Sequence, residues 1–152
     1  MQLENLKSKL HESCTSFLNK RYQSIENSIT QISESLNSAT KSSAGDKHET
    51  TRAMLQLERE KLGNQLAEVV KLQKVLQKVT VSKASERISL GSLVFTSSQN
   101  YFIAISAGLI HINGTDFYAI SPATPIAKAV IGLKEGDHFT FRNATFVITD
   151  VL

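Results

Sequence analysis

The sequence predicts an α+β protein in which a long antiparallel helical hairpin precedes a small antiparallel sheet domain with one short helix. Through the first half of the chain, apolar residues recur at alternating spacings of three and four, which is typical of paired helices. Beyond about residue 90, short strand-like runs replace that pattern, and both prolines and five of the seven glycines lie there. We therefore expect a hairpin over residues 1–80, a linker over residues 81–89 and a sheet domain over residues 90–152.

The composition is that of a folding chain with one ordinary domain or two small ones. Of its 152 residues, 20% are charged and 41% are hydrophobic. No apolar run approaches the roughly 20 residues that span a membrane, and the N-terminus lacks the apolar stretch of a secretory signal. A single cysteine, Cys14, excludes an internal disulfide. We expect a cytoplasmic protein without a membrane segment.

The first predicted helix is uninterrupted by Pro or Gly over residues 1–44 and is about 35 to 40 residues long. Its apolar stripe is spaced 4, 3, 4, 3, 4, 3 and consists of Leu18, Tyr22, Ile25, Ile29, Ile32, Leu36 and Ala39. Leu10 and Cys14 continue the stripe upstream, where Cys14 is expected to act as a small buried hydrophobe. A helix of this length needs a partner that buries the stripe.

The second predicted helix runs from about Lys47 to Val79. Its stripe repeats every seven residues at Leu55, Leu62, Val69 and Leu76, and Met54, Leu72 and Val79 are expected to widen it. Gly63 lies inside and should weaken the helix by about 1 kcal/mol relative to Ala. Because only a few residues separate the two helices, they must pack antiparallel.

The sheet domain is predicted from alternating runs and turn residues. The expected strands are Leu90–Thr96, Tyr101–Ser106, Leu109–Ile112, Thr115–Ile120, His138–Arg142 and Thr145–Val151. Asn113-Gly114 is a strong signal for a two-residue hairpin, because both residues tolerate positive φ. A short helix is expected with Thr124 as N-cap, Pro125 in its first turn and Gly132 as C-cap.

The polar stretch between the two helices, residues 42–50, is called the hairpin tip below. Asp46 and Glu49 are three residues apart, so a helix starting here would carry both carboxylates on one face. The local sequence also fits a capping box, with Asp46 as N-cap and Glu49 at the third helical position. Lys41, Lys47 and Arg52 surround these carboxylates and suit either contact with RNA phosphate or a solvated charged end.

The order of two motifs resembles that of the bacterial Gre transcript-cleavage factors. Gly45-Asp46-x-x-Glu49 is similar to the Gly-Asp-x-x-Glu motif at the end of that family's coiled coil. The stretch from Thr124-Pro125-Ile126 to Gly132, followed by Glu135-Gly136-Asp137, is similar to the Ser-Pro-Ile…Gly…Gly-Asp signature of its C-terminal domain. The resemblance covers nearly the whole chain.

The resemblance implies an accessory factor that is not itself an enzyme. The C-terminal domain would be FKBP-like and dock on RNA polymerase, with Thr124, Pro125 and Ile126 at the contact. The hairpin tip would enter the secondary channel, where Asp46 and Glu49 help to hold a Mg²⁺ ion and position the water that cuts backtracked nascent RNA. Two-metal hydrolysis needs such hard oxygen ligands. The implied protein is a bacterial cytoplasmic monomer.

Two departures from the family pattern keep alternatives open. Arg52 stands where the family usually has Glu, and Ala53 stands where it has Tyr. One alternative is a non-catalytic relative that occupies the channel and inhibits or modulates the polymerase. A second alternative is a coiled-coil interaction module unrelated to polymerase.

Overall fold

The computed structural model describes the backbone of residues 3–41 and 45–152 and the side chains of residues 5–38 and 49–152. The chain divides into two compact units. One unit combines Met1–Phe17 with Lys74–Leu152, and the other is Leu18–Gln73. The first unit therefore contains the sheet together with the outer ends of both long helices, and the second contains only helical-hairpin residues.

Two long helices form the first half of the chain, as predicted. Helix α1 spans Leu3–Lys41 and helix α2 spans Gly45–Gln77. In the first unit, the Nε2 of His11 donates to the carbonyl oxygen of Leu76 at 2.9 Å. This contact brings the beginning of α1 beside the end of α2, which requires the two helices to run antiparallel there.

The predicted apolar stripes are the buried sides of the helices. The buried stripe positions are Leu10, Cys14, Leu18 and Ile25 on α1 and Leu62, Val69 and Leu76 on α2. The half-buried stripe positions are Tyr22, Ile29, Ile32, Leu36 and Leu55, and the side chain of Ala39 lies outside the described residues. The prediction for Met54 was wrong, because its side chain is 66% exposed. Met54 precedes Leu55 by one residue, or about 100° around the helix, and a single partner helix buries only a narrow stripe.

Gly63 offers a way to stabilise α2. A Cβ atom added at Gly63 would meet no atom within 4 Å, so alanine fits without a clash. We expect Gly63→Ala to raise the free energy of unfolding by about 1 kcal/mol, because alanine loses less backbone entropy in a helix. Denaturant titration followed by circular dichroism at the helix band measures this change.

Gly132→Ala is the matched control for Gly63→Ala. A Cβ at Gly132 also meets nothing within 4 Å, but this residue has a φ of +89°. Left-handed backbone costs an alanine about 1 to 2 kcal/mol, so this variant should lose stability although it creates no clash. A Gly63→Ala protein no more stable than the wild type would contradict the helix-entropy argument.

Cys14 is fully buried on α1, as its place in the stripe predicted. Burial raises the pKa of its thiol from the ordinary 9.0 to about 11. The neutral thiol is therefore favoured in the folded state, and its contribution to stability is complete below pH 9 and disappears as the pH rises from 9 towards 11. We expect a thiol reagent at pH 8 to leave native Cys14 unmodified and to modify it fully in denaturant.

Measurements of stability over a pH series separate the effect of Cys14 on the pH dependence of folding from the effect of Tyr101. Burial, and then the charge of Tyr118, also raise the pKa of the Tyr101 hydroxyl. Between pH 9 and 11 the wild type should therefore lose more unfolding free energy than Cys14→Ala. The difference between the two losses is the contribution of the Cys14 thiol. Rapid labelling of native Cys14 at pH 8, or equal losses in both proteins, would show that the thiol is not buried as described.

The second half of the chain is a six-stranded sheet, with one strand near each predicted position. The strands are β1 (Leu93–Thr96), β2 (Tyr101–Ile103), β3 (Gly108–Ile112), β4 (Thr115–Ile120), β5 (His138–Phe141) and β6 (Ala144–Val151). Their order across the sheet is β3-β4-β2-β1-β6-β5. The α+β class is therefore confirmed for the described residues.

The expectation of a purely antiparallel sheet was wrong, because β2 and β4 pair in parallel. Tyr101 lies opposite Tyr118, and Ile103 lies opposite Ile120. The β3–β4 hairpin inserts β4 between β2 and β3, which leaves β3 at the edge. Alternation of apolar and polar residues specifies which face of a strand is buried but carries no information on the direction of its neighbour.

Two tight turns close the outer hairpins. Asn113 and Gly114 have φ values of 51° and 80° between β3 and β4, which confirms the predicted two-residue turn. Arg142 and Asn143 have φ values of 51° and 65° between β5 and β6. The predicted strand His138–Arg142 is therefore one residue too long, because arginine carries none of the turn preference that marks Asn-Gly.

The short helix α3 (Pro125–Val130) covers one face of the sheet. The buried cluster on this face consists of Ile88, Val94, Ile103, Ala127, Val130, Phe139 and Ile148. The neighbouring strand residues point to the opposite face, and Leu93, Phe102 and Phe117 are fully buried there. The centre of the sheet is thus buried on both faces.

Candidate functional site

The hairpin tip places Asp46 and Glu49 on the first turns of one helix. Helix α2 begins at Gly45, one residue before Asp46, so Asp46 lies inside the first turn and not at the N-cap position of the predicted capping box. Glu49 is exposed, while the side chain of Asp46 lies outside the described residues. Since Glu49 follows Asp46 by three residues in the helix, both positions face the same side of α2.

The basic residues predicted at the hairpin tip are only partly described. Lys41 is the last residue of α1 and Lys47 lies in the first turn of α2, and their side chains lie outside the described residues. Arg52 lies on α2 with an exposed side chain. Arg52 follows Glu49 by three residues, which places a guanidinium and a carboxylate on neighbouring parts of the helix surface.

The two acidic positions suit a shared metal better than a metal held by this chain alone. Mg²⁺ prefers octahedral oxygen coordination, and two carboxylates supply at most part of that shell. Within the described ranges, no group of three or more His, Cys, Asp or Glu side chains is placed to hold a metal. Two carboxylates at the Asp46 and Glu49 positions leave most of a Mg²⁺ coordination shell to ligands from outside the pair.

The three predicted docking residues have different surroundings at the start of α3. The hydroxyl of Thr124 donates to the carbonyl of Ser121 at 2.8 Å and accepts from the backbone N–H of Ala127, so it caps the helix as predicted. Ile126 packs against the buried cluster beneath α3. Pro125 is exposed in the first turn. Of the three, Pro125 presents its side chain most openly to a partner.

The predicted C-cap of this helix is shifted by one residue. Ile131 is the C-cap, and its N–H donates to the carbonyl of Ala127 at 2.9 Å. Gly132 follows with a φ of +89° and donates to the carbonyl of Ile88. Gly132 therefore supplies the left-handed residue that ends the helix and joins it to the segment before β1.

A polar cavity in the first unit was not anticipated from the sequence. Its volume is about 290 Å³, and three lysines line it: Lys7 of α1, and Lys78 and Lys83 of the segment that follows α2. Thr80, Ser85, Ser89 and Ser92 also line it. Lys7 is only 1% exposed, and its Nζ donates to the carbonyl of Lys83 at 3.0 Å.

The sequence did contain a signal for this cavity. Lys7 stands in the apolar stripe of α1, three residues before Leu10 and seven before Cys14. Removing an ammonium group from water is costly. A lysine at a stripe position therefore either stays exposed to solvent or is buried next to polar groups. Burial lowers the pKa of Lys7 accordingly.

No protein-family model and no curated protein matches this chain. Among the residues that the structure describes, no helix is long and apolar enough to cross a membrane. The features of the chain that bear on its function are therefore the acidic pair on α2, the start of α3 and the polar cavity.

Proposed function

We propose that this protein is a Gre-like transcription elongation factor. It binds bacterial RNA polymerase, inserts the hairpin tip into the secondary channel and stimulates cleavage of backtracked nascent RNA. The catalytic centre is part of the polymerase. Asp46 and Glu49 assist this centre by contributing oxygen ligands to a Mg²⁺ ion that both proteins bind. The protein acts in the cytoplasm as a monomer.

The observation that carries this proposal is the position of the acidic pair in the first turns of α2, a few residues after the long helix α1 ends in the chain. Helix α2 has 33 residues, and a helix of this size is about 50 Å long. A helix of this length is long enough to carry two carboxylates deep into a narrow channel. The exposure of Glu49 is compatible with this use, since a ligand that completes another active site must be accessible.

The sheet domain supports the docking half of the proposal. Its mixed six-stranded sheet packs against one short helix, which is compatible with the FKBP-like domain that the resemblance implies. The predicted contact at Thr124, Pro125 and Ile126 lies at the start of that helix. We assign polymerase contact chiefly to the exposed Pro125, with Thr124 and Ile126 holding the helix in place.

A cleavage assay on purified, stalled elongation complexes of a bacterial RNA polymerase tests the proposal. With Mg²⁺ present, the protein should shorten the nascent RNA from its 3′ end faster than the polymerase alone does. Binding to the polymerase is measured in parallel by co-purification. Binding combined with accelerated cleavage is the expected result.

The second candidate is a channel binder that inhibits or modulates the polymerase without stimulating cleavage. Arg52 favours it, because a cation close to Glu49 competes with a metal for the same carboxylate. Binding with slowed RNA synthesis and unchanged cleavage would select this candidate. Absence of binding would overturn both and leave a coiled-coil interaction module.

A further inference from the structure

The geometry points to a binding site for a small phosphate-type oxyanion in the cavity lined by Lys7, Lys78 and Lys83, called the lysine cavity below. This site does not depend on the proposed role in transcription. All three lysines belong to the same compact unit, so their arrangement is internal to it. Their segments are the start of α1, the residue after α2, and the stretch that leads to the sheet.

The charges around the lysine cavity favour an anion. No acidic side chain is among the described residues that line it. The ion pairs in the described part of the chain are Lys71–Glu68 and His111–Asp116, and neither involves a cavity lysine. Three lysines line one small volume, and an anion bound between their ammonium groups would offset the repulsion that arises when like charges approach each other.

Lys7 is the one lysine of the three whose side chain is buried. A buried ammonium is unfavourable unless it is neutralised and hydrogen-bonded. The carbonyl of Lys83 accepts one of the three N–H donors of Lys7 but contributes no negative charge. Within the part of the chain that the structure describes, two donors remain for a ligand, and an oxyanion satisfies both the hydrogen-bonding and the charge requirement.

The remaining lining suits a phosphate group in particular. Lys78 and Lys83 are exposed, so they can move to meet a ligand at the mouth of the cavity. The hydroxyls of Thr80, Ser89 and Ser92 can donate to phosphate oxygens, whereas the hydroxyl of Ser85 donates to the carbonyl of Arg87. A lysine ammonium is a common binder of phosphate as a point charge, whereas planar carboxylate recognition favours arginine. No arginine is among the described residues that line the cavity.

Thermal unfolding of the full chain in increasing inorganic phosphate, at constant ionic strength set with sodium chloride, tests the site. Saturating phosphate should raise the unfolding temperature by about 5 °C relative to chloride, and calorimetric titration should give one site per chain. The double variant Lys78→Gln/Lys83→Gln should weaken phosphate binding at least about tenfold, because it removes two charges and keeps the Lys83 carbonyl. Lys7→Met, of similar length, should abolish it.

Lys20→Gln is the control, since Lys20 is an exposed lysine of α1 that does not line the cavity. It should bind phosphate as the wild type does. The lack of a phosphate-specific shift in wild type, or an undiminished shift in the double variant, would overturn the site. The double variant replaces exposed side chains, so this test remains valid if Lys7→Met fails to fold.

Titration with ADP and with RNA oligonucleotides distinguishes the sources of the phosphate. If ADP binds more tightly than inorganic phosphate, the ligand of the lysine cavity is the phosphate group of a nucleotide. If ADP binds equally or more weakly, the ligand is the free phosphate anion. Both results support the lysine cavity as the site. Affinity that increases with RNA length and persists in the double variant would overturn it, because the anion would then be a polynucleotide bound elsewhere.

Discussion

Asp46→Asn is expected to reduce stimulated RNA cleavage on the order of 100-fold, the typical loss when a group that stabilises the transition state is removed. Asparagine keeps the shape of the side chain but loses the charge with which a carboxylate binds Mg²⁺. Glu49→Gln should cause a loss of similar size. Both variants are measured in the stalled-complex assay at saturating protein, so that weaker polymerase binding cannot account for the loss.

Stability measurements separate this chemical role from a structural one. Asp46 lies in the first turn of α2, where a negative charge stabilises the helix by about 0.3–1 kcal/mol. Asp46→Asn should therefore lower the unfolding temperature only slightly. Glu60→Gln, a change of another exposed carboxylate on α2, is the control and should leave cleavage unchanged. Full cleavage activity in Asp46→Asn would refute the metal role.

Phe102→Ala is expected to cost about 3 to 5 kcal/mol of unfolding free energy, the largest stability loss that we predict. Phe102 is fully buried in β2, between Leu93 of β1 and Ala119 of β4. Removal of the ring leaves a cavity in the centre of a sheet that is buried on both faces, where neighbours cannot collapse to fill it. Denaturant titration, with tyrosine fluorescence as the signal for unfolding of the sheet domain, measures the loss.

Two further variants identify the cause of that loss. Phe102→Leu keeps most of the apolar volume and should cost less than half as much as Phe102→Ala. Leu109→Ala removes a side chain that is 54% exposed at the edge strand β3, and it should change stability by about 0.5 kcal/mol or less. Equal losses in Phe102→Ala and Leu109→Ala would show that burial does not control stability in this sheet.

Local sequence signals predicted much of the fold. The heptad spacing identified both long helices, because a continuous stripe requires helical geometry over many turns. Asn113-Gly114 and Thr124-Pro125 identified a turn and a helix start through backbone preferences of the residues themselves. The β5–β6 turn was predicted one residue too far along the chain, at residues 143–144, because Arg142 carries none of the turn preference that marks Asn-Gly.

The candidate site was predicted only in part. The spacing of Asp46 and Glu49 places both on one side of a helix whatever the rest of the chain does. The separate roles of Thr124, Pro125 and Ile126 could not be read from the motif, because capping, exposure and packing depend on where α3 meets the sheet. The lysine cavity was missed altogether, since its three lysines come from positions 7, 78 and 83.

Local patterns in the chain were enough to predict two long amphipathic helices, six strands, one capped short helix and an acidic pair between the two long helices. These depend on interactions between residues a few positions apart. The parallel pairing of β4 with β2 and the burial of Lys7 in the cavity that Lys78 and Lys83 also line are seen only in the folded chain. Such features depend on contacts between residues distant in the chain, and neither periodicity nor turn preference specifies them.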